Sequence, residues 1–353
     1  ILYRGDNMGK KEFIVLGNGF TIDLLNFIGK SNEIDVKNLF SAGDKVPWPT
    51  DNIPGYLSYK HTPNLWQVGV SSTIDNTTAL QLIEEIITTA NMYTEIKKNK
   101  NGIDPQYLDN IKNSRYIKAY RELASYLKHL FIYYNNLVED DLLREDNLNS
   151  WGWYKFFQKL KDDDSVEEVI IVTYNYDVFL ERIFRVNNIP FMVEGLEKKE
   201  SKFKIIKPHG SISFAHNTLL PFEYNIKYEQ IFPEAKITDF NLNYDYMGNN
   251  FLVDAIIPPA GSSNRIDVEW SQELRKSVLK YAREISYNDK IIVSGISYWH
   301  VDREEIDELL VNVHPGVDLI MINPSVPRIF SAVIESIFKN YIVYSNSDNL
   351  GEV

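Results

Sequence analysis

The chain has 353 residues, 44% hydrophobic and 24% charged, an ordinary globular composition that excludes a disordered chain. Lysine and arginine number 37 against 49 aspartates and glutamates, a net charge of −12; direct nucleic-acid binding is therefore not expected, because the chain as a whole repels a polyanion. There is no cysteine, which excludes disulfides, thiol nucleophiles, iron–sulfur clusters and cysteine-built zinc sites and fits a reducing, cytoplasmic setting.

At about 150 residues per domain, the length predicts two domains or one large core with an insertion. No apolar run approaches the ~18 residues of a membrane span, so a soluble chain with no membrane association is expected. Ile1 to Asn7 carries no apolar stretch with a cleavage site, so no secretory signal is expected. Met8-Gly9-Lys10-Lys11 reads as a more natural start, with residues 1–7 upstream of it.

In chain order, Glu12 to Leu16 is a short apolar run that stops at Gly17-Asn18-Gly19, and a periodic stretch follows from Ile22 to Ile28. That reads as strand, glycine turn, helix. Residues 31–75, rich in Pro, Asn, Ser and Trp, read as an irregular excursion. From Asn76 to Leu160 the spacing is helical, in Leu80 to Ile87 and again from Tyr107 to Val138, with no strand candidate. After Asp162-Asp163-Asp164 strands return: Val169 to Thr173, Phe203 to Ile206, Ala255 to Ile257, Lys290 to Ser294, Val317 to Ile322 and Ile342 to Tyr344. Helices are expected at Asp177 to Arg185, Ile266 to Ile285, Asp302 to Val313 and Val326 to Phe338. Short buried-type strands alternating with helices predict an α/β fold, a Rossmann-like doubly wound parallel sheet with an all-helical insertion. The α/β part covers residues 8–75 and 161–353, and the insertion covers 76–160.

In such a sheet ligands bind beyond the carboxyl ends of the strands, and four ends are unusual. Gly17-Asn18-Gly19-Phe20 lets backbone approach a pyrophosphate at a helix N-terminus, although Ile22 stands where a dinucleotide fingerprint has its third glycine. Asp23, in the first turn of that helix, suits the helix dipole but would repel a phosphate. In Thr173-Tyr174-Asn175-Tyr176-Asp177 polar groups stack at a strand mouth. Asn175 can hold a water or a sugar hydroxyl there, and Asp177 an amide or a ribose; the plainer reading is a turn residue and a helix cap. In Lys207-Pro208-His209-Gly210-Ser211 a histidine held between proline and glycine can act as a general base, or be merely structural. Gly295-Ile296-Ser297 and Asn323-Pro324-Ser325 suit an adenosine and its ribose, or simple helix starts. The other histidines show no metal-ligand spacing.

Taken in order, Gly17-Asn18-Gly19, Asn175-Tyr176-Asp177, Pro208-His209-Gly210-Ser211, Gly295-Ile296-Ser297 and Asn323 resemble the motif set of the sirtuin-like NAD-consuming fold. The form Thr-x-Asn-Tyr-Asp, the Ile257-Pro258-Pro259 element and the helical insertion look closer to its bacterial anti-phage defence branch. The resemblance covers about residues 12–30 and 165–345. It implies an NAD glycohydrolase that depletes NAD, with Asn175, Asp177 and His209 catalytic. Gly17, Asn18, Gly19, Phe20, Asp23, Thr173, Gly210, Ser211, Gly295, Ser297 and Asn323 would bind the dinucleotide. It also implies homo-oligomerisation and a HerA-type hexameric ATPase as partner. The sirtuin deacylases carry a four-cysteine zinc ribbon, which a chain without cysteine lacks, so no zinc is expected. The alternatives are an NAD- or ADP-ribose-binding subunit without catalysis, an NAD-dependent deacylase, and an oxidoreductase, which the incomplete glycine fingerprint argues against.

Overall fold

The computed structural model describes residues 9–98, 104–221, 223–228, 234–259, 268–297 and 303–352. The expected chain start at Met8, the helix starts at Ile266 and Asp302, and His300 lie outside the described residues.

Strand β1 (Lys10–Leu16), buried from Lys11 onward, turns directly into helix α1 (Asn18–Phe27). The excursion that follows is irregular, as its composition predicts, apart from the short helix α2 (Pro63–Gln67), which begins on a proline. Four helices come next: α3 (Asn76–Lys98), α4 (Pro105–Lys112), α5 (Arg115–Asn136) and the single turn α6 (Glu145–Leu148). The stretch expected as one helix from Tyr107 to Val138 is broken at Asn113 and Ser114, where Ser114 takes an extended conformation. Helix α5 is covered nearly all round, so its buried charges must be paired. The Glu122 carboxylate accepts from the Asn64 and Leu65 N–H groups and from Tyr228, and Lys128 pairs with Asp254 at 2.8 Å.

Helix α7 (Gly152–Asp162) leads into strand β2 (Val166–Thr173), whose last five residues are buried. Helix α8 (Phe179–Val186) starts two residues later than expected, after Val178, and the Asp177 carboxylate accepts from the Phe179 N–H at 3.2 Å. Strands β3 (Phe191–Val193) and β4 (Phe203–Ile206) follow, then β5 (Gly210–His216), β6 (Phe240–Leu242) and β7 (Asp254–Ile256). The chain ends with α9 (Glu269–Glu284), β8 (Lys290–Ser294), α10 (Arg303–Asn312), β9 (Asp318–Ile322), α11 (Arg328–Ile337), β10 (Asn340–Tyr344) and a closing 3-10 turn.

Seven strands make one sheet in the order β10-β9-β8-β1-β2-β4-β3, and every pair is parallel. From β1 the chain lays β2, β3 and β4 to one side and β8, β9 and β10 to the other, so this is a Rossmann-like doubly wound α/β fold with a helical insertion. The Ala255–Ile257 segment, expected in this sheet, departs from it. Its residues 255 and 256 belong to β7, which pairs antiparallel with β5, and β5 with β6, in a separate three-stranded sheet. Among the described residues, no helix is long and apolar enough to cross a membrane.

Candidate functional site

The sheet register aligns the strand ends that carry the polar motifs. Leu16 is level with Thr173 on one side and Ser294 on the other, Val172 with Ile206, and Ser294 with Ile322. Gly17, Asn175, His209, Gly295 and Asn323 therefore leave one edge of one sheet. The crevice rule places a ligand where the strand order reverses, here between β1 and β8.

At that reversal the two turns touch. A Cβ on Gly19 would lie 2.2 Å from the Gly295 Cα, and Gly295 itself has φ +62°. The Gly17 N–H donates to the Ser294 carbonyl at 3.0 Å, the Gly19 N–H to the Gly295 carbonyl at 3.2 Å, and the Phe20 N–H to the Gly17 carbonyl at 3.0 Å. These glycines thus bring two strand ends into backbone contact, and three of the turn's amides already donate within the protein. Asn18 is exposed beside them. Two neighbours on α1 face elsewhere. The Phe20 ring packs against Trp151 and Trp153, with centroids 5.5 and 5.4 Å away. Asp23 accepts from the Trp151 indole N–H at 3.0 Å and the Ser347 hydroxyl at 2.6 Å, tying α1 to α7 and the chain's end.

Asn175 and Asp177 are joined through a residue that the sequence did not single out. The Asn175 Nδ2 donates to the Gly17 carbonyl at 3.1 Å and to the Thr21 Oγ1 at 3.0 Å, and the Thr21 hydroxyl donates to the Asp177 Oδ2 at 2.8 Å. All three side chains are buried. The Asn175 Oδ1 is also buried and has no hydrogen-bond partner among the described residues. A buried acceptor left open costs free energy, and a catalytic role or a bound water is among the explanations for one. Burial pushes the Asp177 carboxyl above its ordinary range, against the opposing pull of Lys207 and the Thr21 hydroxyl. The Lys207 ammonium lies 2.8 Å from the Glu181 carboxylate, with both side chains fully enclosed, and donates to the Asp177 carbonyl. Thr173 is buried behind Asn175 and its hydroxyl accepts the Asn175 N–H at 3.3 Å.

His209 lies three residues beyond the end of β4 and is almost fully buried. The Tyr174 ring lies 4.6 Å from its imidazole, its Nε2 is 2.9 Å from the Glu305 Oε2, and its carbonyl accepts the Ile257 N–H at 3.1 Å. Gly210 is required by space and by backbone: a Cβ would fall 1.9 Å from the Ala255 carbonyl oxygen, and its φ is +86°. The Ser211 hydroxyl turns to the Tyr176 carbonyl at 3.3 Å and the Ser213 hydroxyl at 3.0 Å, beneath the site.

At the other end, Asn323 ties the loop after β9 to the loop after β8. It donates to the Ile296 carbonyl at 3.1 Å, and its Oδ1 accepts the Ser325 N–H at 3.1 Å. Ser297 is exposed. The structure therefore gathers Gly17, Gly19, Gly295, Thr173, Asn175, Asp177 and His209 around the strand ends and turns Phe20 and Asp23 away. Sequence reasoning missed Thr21, Arg275 and Glu305. Thr21 follows two residues after Gly19 in the first turn of α1, which is a usable signal; Glu305, inside the charged run Arg303-Glu304-Glu305, offers none. Chemically the cluster pairs an open acceptor with an imidazole next to a carboxylate.

Fold and site together define a doubly wound α/β protein with a buried polar cluster at its strand ends. Comparison with protein-family models returns no match, and none of the curated proteins compared with the chain matches it.

Proposed function

We propose that this chain hydrolyses NAD at the bond between nicotinamide and ribose. The observation that carries the reading is the Asn175 side chain, buried between Gly17 and Thr21 with its Oδ1 unmatched, one strand away from His209. In the reaction the glycosidic bond breaks with its electron pair passing to the pyridinium nitrogen, so nicotinamide leaves neutral and positive charge is left on the ribose carbon. Asn175 positions the water and a ribose hydroxyl; orientation of this kind is a large part of what a site supplies. His209 takes the proton as the water oxygen bonds to that carbon, and releases it to solvent. The products are nicotinamide, ADP-ribose and one proton. Asp177 braces Asn175 through Thr21.

NAD-depleting defence, activity governed by self-association, and partnership with a HerA-type hexameric ATPase belong to the same proposal, on the resemblance stated above. Incubation with NAD, alone and with such an ATPase, followed by product separation, tests it. His209→Ala and Asn175→Ala are each expected to slow nicotinamide release at least ~10²-fold, the usual loss with a general acid–base group. Near-normal turnover in both variants rejects the assignment, and binding of NAD without turnover in the unaltered chain favours the non-catalytic subunit.

A further inference from the structure

The histidine has a partner that comes from the far side of the sheet. Glu305 sits in the first turn of α10, and its Oε2 lies 2.9 Å from the His209 Nε2. Its other oxygen, Oε1, lies 2.9 Å from the Arg275 Nη2 of α9. Imidazole and carboxylate are well shielded, at 2% and 17% side-chain exposure, so charge on either group is felt strongly by the other.

We propose that Glu305 is the positioning residue of His209, and that Arg275 holds Glu305 ionised and in place; the assignment rests on His209 being the base. A carboxylate can only accept. Facing Nε2, it fixes the proton there and leaves the lone pair of the neutral ring on Nδ1. A proton taken up by the neutral ring then goes to Nδ1. The resulting imidazolium keeps its Nε2–H on Glu305, so the new positive charge forms beside an existing negative one. The arrangement follows the general logic of a base oriented by a third group. Among the described residues, the Tyr174 ring lies against the imidazole and the Lys207 ammonium is turned to Glu181. On α10 itself, Arg303 pairs with Asp307 at 3.5 Å.

The test reads the histidine directly. In the full chain labelled at histidine, the His209 signal is identified by its loss in His209→Gln, and its titration is followed by NMR in the unaltered chain, in Glu305→Gln and in Arg275→Gln. The unaltered chain is expected to show the Nε2–H tautomer, with the ring's titration midpoint set in part by the facing carboxylate. Glu305→Gln is expected to lower that midpoint by about one unit, a tenfold loss of proton affinity, and Arg275→Gln to lower it by less. NAD turnover in Glu305→Gln should fall about tenfold, with the acidic limb of its pH profile displaced to lower pH, a shift that a purely structural defect does not produce. A midpoint that stays put while the other histidine signals report a folded chain overturns the pairing. A midpoint that falls in a chain leaving NAD intact upholds the pairing and rejects the reaction, so the two failures are distinguishable.

Discussion

Replacing Gly19 by alanine puts a methyl group 2.2 Å from the Gly295 Cα, and the two next-nearest atoms are also Gly295 backbone. No rotamer change relieves a clash with backbone, so the β1–α1 turn must move off the end of β8. Overpacking of this kind costs about 1–3 kcal/mol. Gly29 supplies the opposite control, with φ +72° and nothing within 4 Å of an added Cβ. Gly29→Ala therefore measures the left-handed backbone cost alone, about 1–2 kcal/mol. Gly295 combines both features, φ +62° and the same 2.2 Å approach, so Gly295→Ala should cost roughly the sum, about 2–5 kcal/mol. The double variant of Gly19 and Gly295 should cost less than its two parts added, because the first methyl already separates the turns. Urea unfolding followed by circular dichroism measures each shift as a change in midpoint at constant slope. A Gly19→Ala chain within about 0.5 kcal/mol of the unaltered one would refute the close approach.

Two buried charges give further expectations. Burial pushes the Glu12 carboxyl up from 4.5 to about 7, and one of its oxygens has no hydrogen-bond partner among the described residues. The folded state therefore holds a proton that the unfolded chain releases, and stability should decline as pH rises from 4.5 to about 7, by about 3 kcal/mol in all. Glu12→Gln should remove that decline and be the more stable chain above pH 7; an equal Gln–Glu difference in urea midpoint at pH 5 and pH 8 contradicts it. Lys207→Met strands the Glu181 carboxylate in a site without solvent and should cost about 3–5 kcal/mol, most of it recovered by adding Glu181→Leu. A single variant as stable as the double, by thermal unfolding, counts against an uncompensated charge.

The parallel sheet was legible because β1, β2, β4, β8 and β9 are short apolar runs closed by turn residues, whereas the order of its strands comes from the structure. The three residues of β3 are too few to show a period, and β5 reads Gly-Ser-Ile-Ser-Phe-Ala-His, small and polar enough to pass for loop. Ala255 and Ile256 were legible as strand but not as members of a second sheet, since an apolar run does not say which way its partner points. Asn175 and His209 could be found because polar side chains at the mouths of buried strands are conspicuous. The Gly19–Gly295 contact and the Glu305–His209 pair could not be found that way. Each joins residues on opposite halves of the fold, and only the assembled sheet brings them together.

Gly210 opens β5 immediately after His209, and the His209 carbonyl holds the Ile257 N–H just beyond β7. The backbone of this one histidine thus lies between the end of β4 in the large sheet and the start of β5 in the small one. Loosening of the small sheet, through β7 or through the Lys128–Asp254 tie to α5, would slacken the imidazole's mooring while the seven-stranded sheet stayed whole.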